Sequence, residues 1–142
     1  MTGKIFSLKM AVVLLAACAA PPPAPAPMAA ATCPAGGAQM AKVELFFGLA
    51  IPGGGEVSSA EWQAFLEAEV TSRFPDGLSV DEVSGQWRDA ATGQTVRERS
   101  RVVMILYTPG AEAAIEAIRT TYKARFRQDS VMRVDELDCV GF

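Results

Sequence analysis

Histidine is absent from this chain of 142 residues. Its absence excludes serine–histidine and cysteine–histidine catalytic pairs, histidine-ligated zinc, and the side chain that most often acts as a general base near neutral pH. Basic residues are also in the minority, with 13 lysines and arginines against 16 aspartates and glutamates. Because this charge balance does not attract a polyanion, we expect no nucleic-acid partner.

The chain also lacks a strongly apolar segment long enough to span a bilayer near its start. Met10–Ala17 (MAVVLLAA) is short and is preceded by Lys4 and Lys9, a pattern typical of an export signal. The run ends in Leu15-Ala16-Ala17-Cys18, which resembles the lipobox of bacterial lipoproteins, where the signal is cut before a cysteine that then carries acyl chains such as palmitate. We therefore predict a lipoprotein signal peptide over residues 1–17 and lipidation at Cys18. The alternative is an ordinary cleaved signal followed by a chance cysteine.

Residues 18–40 contain proline and alanine in abundance and no charged side chain. This composition predicts an extended tether that joins the lipid on Cys18 to a single domain at residues 41–142. Ala19 is not the aspartate associated with inner-membrane retention, so we expect the periplasmic face of the outer membrane. Cys33 and Cys139 remain after Cys18 is assigned, and in an oxidising compartment such a pair suggests a disulfide; two unrelated reduced thiols are the alternative.

Thr95–Tyr107 (TVRERSRVVMILY) has the pattern of a central strand. Alternation places Glu98 and Ser100 on one face with apolar residues, and three arginines on the other. The preceding stretch, Leu78–Asp89, together with a turn that contains a glycine, predicts a β-hairpin. If Trp87 lies opposite Val96 in this hairpin, Gly85 lies opposite Glu98 and leaves space beside that carboxylate.

Further patterns predict a strand at Lys42–Ile51, a helix that begins after a capping box at Ser58 and Glu61, a helix at Ala111–Phe126, and a strand at Ser130–Val140 with an irregularity near Asp135-Glu136. The order βαββαβ predicts an α+β fold of the ferredoxin-like type, with a four-stranded, mostly antiparallel sheet and both helices on one face. The first and last strands are neighbours in this topology, which would bring Cys33 close to Cys139. The apolar residues on the other face must be covered by a partner subunit or by the chain's own termini, and we expect a homodimer formed by two sheets.

Short segments spread over residues 43–142 carry a family resemblance. They are Leu45-Phe46-Phe47-Gly48, the glycine-rich loop before Val57-Ser58, Trp62, Arg73–Gly77, Gly85-Gln86-Trp87, Arg97-Glu98 with Ser100, and Tyr122–Phe126 with Gln128 and Ser130-Val131. In these segments the chain is similar to the bacterial exported family known as domain of unknown function 3574. That family is uncharacterised, so the resemblance implies domain boundaries and no activity.

Glu98 with Ser100 is the most specific candidate site. A carboxylate on a mostly apolar face needs a partner, which we expect to be Arg125 or Arg73 at the end of a helix. As a ligand site it would comprise Glu98, Ser100, Gly85, Arg125 and Gln128. The structural alternative is an ion pair that only fixes the strand register.

Other clusters have simpler interpretations. Arg97, Arg99 and Arg101 suit either an anionic ligand or a solvated face paired with Glu82, Asp81 or Asp89. The three consecutive glycines lack the lysine of a phosphate-binding loop, and the acids near the C-terminus lack a calcium-loop pattern, so we expect no metal and no cofactor. The aromatic residues are most simply core, with an aromatic ligand pocket as the alternative; they are Trp62, Phe65, Trp87 and Tyr122.

These observations favour a non-catalytic, lipid-anchored envelope protein that binds a small ligand or an envelope partner. The alternative is a small enzyme of the tautomerase-like or dimeric α+β barrel type. In it Glu98 would be the acid or base, and Arg125 or Tyr122 would hold the substrate.

Overall fold

The computed structural model describes residues 32–142. The predicted signal peptide, Cys18 and most of the predicted tether lie outside the described residues. The elements are β1 (Ala38–Gly48), α1 (Ser59–Phe65) continuing as a π-helical segment (Leu66–Thr71), β2 (Ser79–Arg88), β3 (Thr95–Tyr107), α2 (Glu112–Phe126) and β4 (Met132–Val140). In this part of the chain, neither helix has the length and apolar character needed to cross a bilayer.

The four strands form one antiparallel sheet in the order β2-β3-β1-β4. This order, with a helix after β1 and another after β3, confirms the predicted ferredoxin-like α+β fold. β1 and β4 are neighbours, and their pairing runs from Ala38 opposite Val140 to Phe46 opposite Met132. β3 lies between β2 and β1, so it is an interior strand as its apolar second half predicts.

Both ends of β1 differ from the prediction. The strand begins at Ala38, inside the stretch predicted to be tether, because residues 38–40 pair with residues 138–140 of β4. It ends at Gly48 rather than Ile51, because the chain then turns through an isolated bridge between Ala50 and Glu56. The globular unit therefore includes part of the alanine-rich stretch.

The irregularity predicted within β4 was wrong. The register with β1 is continuous through Asp135 and Glu136. The apolar residues of β4 do not alternate regularly because β4 is an edge strand, on which Leu137 is 68% exposed. The polar Asp135 accepts a hydrogen bond from Arg133. Exposure at the edge, and not a bulge, explains the pattern.

The core lies between the sheet and the two helices. Its fully buried large side chains include Val43, Leu45 and Phe47 of β1, Val103 and Ile105 of β3, Trp62 and Phe65 of α1, and Ile115, Ile118 and Tyr122 of α2. Burial of each such side chain stabilises the fold by about 1.5–3 kcal/mol. The rings of Phe47, Trp62, Phe65 and Tyr122 pack edge to face, with the Phe47 and Tyr122 centroids 4.7 Å apart.

The predicted capping box starts α1. The Ser58 hydroxyl accepts from the Glu61 backbone N–H at 3.3 Å, and the Glu61 carboxylate accepts from the Ser58 N–H at 2.9 Å. The hydrogen bond from the Ser58 hydroxyl is the main cause that lowers the pKa of Glu61. This cap fixes where the chain enters the helix after the glycine-rich turn.

A disulfide joins Cys33 to Cys139, with the two Cα atoms 5.4 Å apart. This confirms the predicted pair and the reasoning behind it, because β1 and β4 are adjacent. The bridge ties the segment before β1 to the end of β4 and closes a loop with a sequence separation of 106 residues.

The other face of the sheet carries Phe46, Met104 and Leu106, which are partly buried, and Val102, which is 8% exposed. The core helices do not lie on this face, because their buried side chains all pack with the opposite residues of β1 and β3. A homodimer formed through this face stays a prediction.

Candidate functional site

A two-stranded arm extends from one end of the sheet. Gly48, the last residue of β1, pairs with Ser100, but β3 continues back to Thr95 while paired with β2 alone. The segment after Gly48 turns away beside this arm, and Leu49 N–H donates to the Arg99 carbonyl at 2.9 Å. Between arm and segment lies an open groove of about 540 Å³, lined by Ala50, Glu56, Ser84, Gly85, Gln86, Arg97, Glu98 and Arg99.

Glu98 lines this groove and is held by two neutral donors. Its Oε1 accepts from the Ala50 backbone N–H at 3.2 Å, and its Oε2 accepts from Trp87 Nε1–H at 3.4 Å. Gly48 makes this position possible, because a Cβ on residue 48 would come within 2.8 Å of the Glu98 carboxyl carbon. The carboxylate therefore occupies the space that a side chain at residue 48 would fill.

Gly85 lies directly opposite Glu98, and Trp87 lies opposite Val96, as the hairpin predicts. A Cβ built on Gly85 would meet nothing within 4 Å. The space predicted beside the carboxylate is present.

Two side chains of the α2 region hold the segment that carries the Ala50 donor. The Tyr122 hydroxyl donates to the Gly48 carbonyl at 2.8 Å, and Gln128 Nε2 donates to the Ala50 carbonyl at 2.6 Å. Burial is the main cause that raises the pKa of Tyr122, and the negative charge of Glu98 raises it further. Tyr122 and Gln128 thus position the backbone on which Glu98 rests, without contacting Glu98.

The arginines expected to neutralise Glu98 lie elsewhere. Arg73 pairs with Glu69 at 2.8 Å, and the Arg125 guanidinium lies over the Phe126 ring, 5.2 Å from its centroid. Among residues 32–142, no salt bridge reaches Glu98. Ser100 lines a smaller adjoining cavity of about 170 Å³. The structure therefore places Gly85 opposite Glu98 and Ser100 in the adjoining cavity, whereas Gln128 reaches only the Ala50 carbonyl and Arg125 is stacked on Phe126.

The arginine row on the other face of β3 is paired along part of its length. Arg101 forms a salt bridge with Glu82 and lies over the Trp62 ring, 5.5 Å from its centroid. Arg99 lies 3.5 Å from Glu56 and 3.8 Å from Glu82, while Arg97 has no salt-bridge partner among the described residues. Pairing across the hairpin with Glu82, expected in the simpler interpretation, is present.

Asp89, which was considered as a partner of the arginines on β3, instead accepts hydrogen bonds within the hairpin turn. Its Oδ1 accepts from the backbone N–H groups of Ala91 and Thr92 at 3.0 and 2.7 Å, which closes the hairpin turn. The backbone N–H of Thr92 is the main cause that lowers the pKa of Asp89.

The glycine-rich loop and the C-terminal acids are structural. Gly53, Gly54 and Gly55 have φ of 94°, 113° and 89°, a left-handed run that favours glycine and explains the triplet as a turn. Glu136 and Asp138 pair with Lys42 at 2.6 and 2.8 Å. Between residues 32 and 142, no three histidine, cysteine, aspartate or glutamate side chains are grouped so as to hold a metal ion.

The sequence analysis missed two residues of the site. Trp87 was assigned to the core, but it is 49% exposed because it lies on the face of the hairpin that the helices do not cover. Its contact with Glu98 could have been found from the same hairpin pattern, because both residues share a face and are diagonal neighbours. Gly48 was overlooked because its importance depends on the turn after β1.

The comparisons with known proteins agree with the fold and leave the site unassigned. The family model DUF3574, described as a protein of unknown function, matches residues 42–142. No curated protein matches the chain.

Three solved structures are similar. A phage SAM lyase in complex with S-methyl-5'-thioadenosine has a TM-score of 0.56 at 15% identity, covering 79% of this chain and 95% of that chain. The same kind of phage lyase in its apo state has a TM-score of 0.51 at 18% identity, covering 75% and 91%. CutA from Synechococcus elongatus PCC7942 has a TM-score of 0.47 at 12% identity, covering 70% and 78%. At these identities the likeness shows the fold alone.

Proposed function

The chain belongs to the DUF3574 family of unknown function, and from its own geometry we propose that it is a non-catalytic binding module that holds a small polar ligand in the groove beside Glu98. The observation that carries this proposal is the open position opposite the carboxylate. Gly85 leaves room there, and Glu98 is fixed on the inner side by Ala50. A preformed space with one oriented polar group is the usual arrangement of a small-molecule site.

The residues around the groove favour binding over catalysis. A substrate-binding role for Tyr122 requires its hydroxyl to reach the ligand, but this hydroxyl is buried and donates to the Gly48 carbonyl. Arg125 is stacked on Phe126 and does not contact Glu98. Neither Arg125 nor Tyr122, which the enzyme hypothesis assigned to hold the substrate, is therefore available beside Glu98.

One observation nevertheless supports a small enzyme as a second candidate. Glu98 lines an open groove, where a carboxylate could accept a proton from a bound substrate. In that reading the protein would be of the tautomerase-like or dimeric α+β barrel type, and the similar phage structures suggest SAM as a substrate to test. Incubation with SAM, with detection of S-methyl-5'-thioadenosine, decides this case: product formed by the wild type and lost in Glu98→Gln would replace the binding proposal by the enzyme.

We also propose that the module works in the cell envelope, anchored at the periplasmic face of the outer membrane through a lipid on Cys18. The Cys33–Cys139 disulfide supports an oxidising compartment, because such bonds persist outside the reducing cytosol. Several acyl chains on one residue suffice for stable anchoring.

The binding proposal is tested by mapping where ligands perturb the protein. A panel of small cations, anions and zwitterions is added to ¹⁵N-labelled protein, and backbone and indole N–H shifts are recorded for the wild type and Gly85→Val. We expect saturable shifts at Ala50, Glu98 and Trp87 that Gly85→Val abolishes, because valine fills the space opposite the carboxylate. Equal responses in both proteins, or no saturable response in the wild type, would contradict the proposal.

A further inference from the structure

We propose that the helix-free face of the arm, beside the groove, selects an organic cation, such as a primary ammonium group, held between the Glu98 carboxylate and the Trp87 indole. This inference rests on the proposed binding function and adds the chemical class of the ligand. Three features of the arm support it: the absence of a salt bridge to Glu98 among the described residues, the exposure of Trp87 and the open position at Gly85.

The first feature is an acid whose charge has no cation beside it. Glu98 is partly buried and accepts only from the Ala50 N–H and the Trp87 Nε1–H, both of them neutral donors at more than 3 Å. Within residues 32–142 the acids nearest to the arm differ, since Glu82 and Glu56 each contact an arginine. A carboxylate has about four acceptor positions, so Glu98 retains unused ones for a ligand.

The second feature is the exposed indole bonded to this carboxylate. Trp87 is one of only two tryptophans, and the other, Trp62, is 2% exposed. Trp87 directs its Nε1–H to Glu98 and leaves about half of its surface in solvent. A cation that approaches the carboxylate from above the ring would also lie over the indole face, within the roughly 6 Å at which such a face attracts a positive charge.

The third feature is the space itself. Gly85, Trp87 and Glu98 lie on the same face of the hairpin, since successive residues alternate and Gly85 pairs with Glu98. A Cβ at Gly85 would meet nothing within 4 Å on that face, while the carboxylate lies on the Gly48 side of β3. A small alkylammonium group fits such a position, with its charge toward Glu98 and its carbon atoms beside Trp87.

The two arginines that line the groove do not neutralise this site. Arg97 and Arg99 leave β3 on the opposite face from Glu98, the face that includes buried Val103. Arg99 lies near Glu56 and Glu82, which offset its charge. Because Arg97 lines the groove next to Glu98, the neutral control is taken from Arg73, which pairs with Glu69 at 2.8 Å and does not line the groove.

The test is a titration with two probes of similar size and opposite charge, n-butylammonium chloride and sodium butyrate, at constant ionic strength. The readout is the NMR shift of the Trp87 indole N–H, with that of buried Trp62 as an internal reference. We expect saturable binding of n-butylammonium that moves the Trp87 signal and leaves the Trp62 signal in place. Glu98→Gln should raise the dissociation constant of n-butylammonium about tenfold or more, because it removes the negative charge from the hydrogen bond to the ligand.

Two further variants keep this test decisive. Gly85→Val retains the carboxylate and should abolish binding by occupying the space, so it replaces Glu98→Gln if that variant folds poorly. Arg73→Gln should leave the affinity for n-butylammonium within about twofold of the wild type, because Arg73 pairs with Glu69 and does not line the groove.

The outcomes separate the two levels of the proposal. Tighter binding of butyrate, or equal binding of n-butylammonium by the wild type and Glu98→Gln, overturns the cation inference and leaves the binding groove intact. If the broader ligand panel also gives no response that Gly85→Val removes, the proposed function fails with it.

Discussion

Gly48→Ala is expected to destabilise the protein when Glu98 is present and to stabilise it when Glu98 is replaced by alanine. The three atoms closest to a Cβ at residue 48 all belong to the Glu98 carboxylate, and its carbon would lie only 2.8 Å away. The backbone at Gly48 is ordinary extended strand, so alanine introduces no conformational strain. The carboxylate must therefore move away from the Ala50 N–H.

The magnitude follows from two opposing contributions. A hydrogen bond to a charged group contributes about 1.5–3 kcal/mol, and the 3.2 Å length of this one places it at the lower end. Replacing glycine by alanine inside a strand raises the free energy of unfolding by about 0.5–1 kcal/mol. The net loss with Glu98 present is about 1 kcal/mol, whereas in the Glu98→Ala background only the gain of about 0.5–1 kcal/mol remains.

The assay is urea unfolding of the wild type, both single variants and the double variant, analysed as a double-mutant cycle. We expect a coupling energy of about 1.5 kcal/mol or more and a change of sign between the two backgrounds. Gly85→Ala is the matched control: because a Cβ there meets nothing within 4 Å, it should be stabilising in both backgrounds. If Gly48→Ala changes the free energy of unfolding equally with and without Glu98, the Glu98 carboxylate does not occupy the space beside Gly48, and the reasoning is refuted.

Three further predictions concern the rest of the chain. Reduction of Cys33–Cys139, or replacement of both by alanine, should lower the free energy of unfolding by about 2–5 kcal/mol, because the bridge closes a long loop; unfolding with and without reductant measures this. Because burial raises the pKa of Tyr122 above its ordinary value of 10.0, its neutral form is favoured in the folded state, and the associated stability should decline as pH rises above 10.0. Unfolding at pH 8 and pH 11 should show a smaller loss in Tyr122→Phe than in the wild type. Cys18→Ser should abolish palmitate labelling and move the protein from the membrane to the soluble fraction; unchanged labelling would contradict a lipid at this residue.

The period-two pattern of Thr95–Tyr107 and the short turn before it were sufficient to predict the hairpin register. That register alone placed Gly85 opposite Glu98, because strand pairing in a tight hairpin is set by local geometry. The order of the elements predicted the sheet topology and with it the disulfide, since neighbouring strand ends bring Cys33 and Cys139 together.

The partners of Glu98 could not be predicted in the same way. They depend first on the path of the chain after Gly48, which is set by a turn containing three glycines with positive φ. They depend also on the hydrogen bond from Gln128, just after α2, to the Ala50 carbonyl. Electrostatic reasoning suggested an arginine for Glu98 because a concealed acid needs a partner. The structure instead leaves the acid partly exposed in a groove, where a backbone N–H and an indole suffice.

Trp87 was misplaced for a related reason. An aromatic residue in an apolar strand is usually core, and this rule is correct for Trp62, which is 2% exposed. It fails for Trp87 because this residue shares the sheet face of Glu98, which the helices do not cover, and lies in the arm beyond the end of β1.

The most direct test of a ligand site beside Glu98 is to measure binding and stability together in Gly85→Val, using n-butylammonium. The account predicts a protein that unfolds with at least the wild-type free energy, since valine favours strands and meets open space, yet binds at least about tenfold more weakly. Wild-type affinity in a fully folded Gly85→Val protein would show that the space opposite the carboxylate holds no ligand, and would contradict the account.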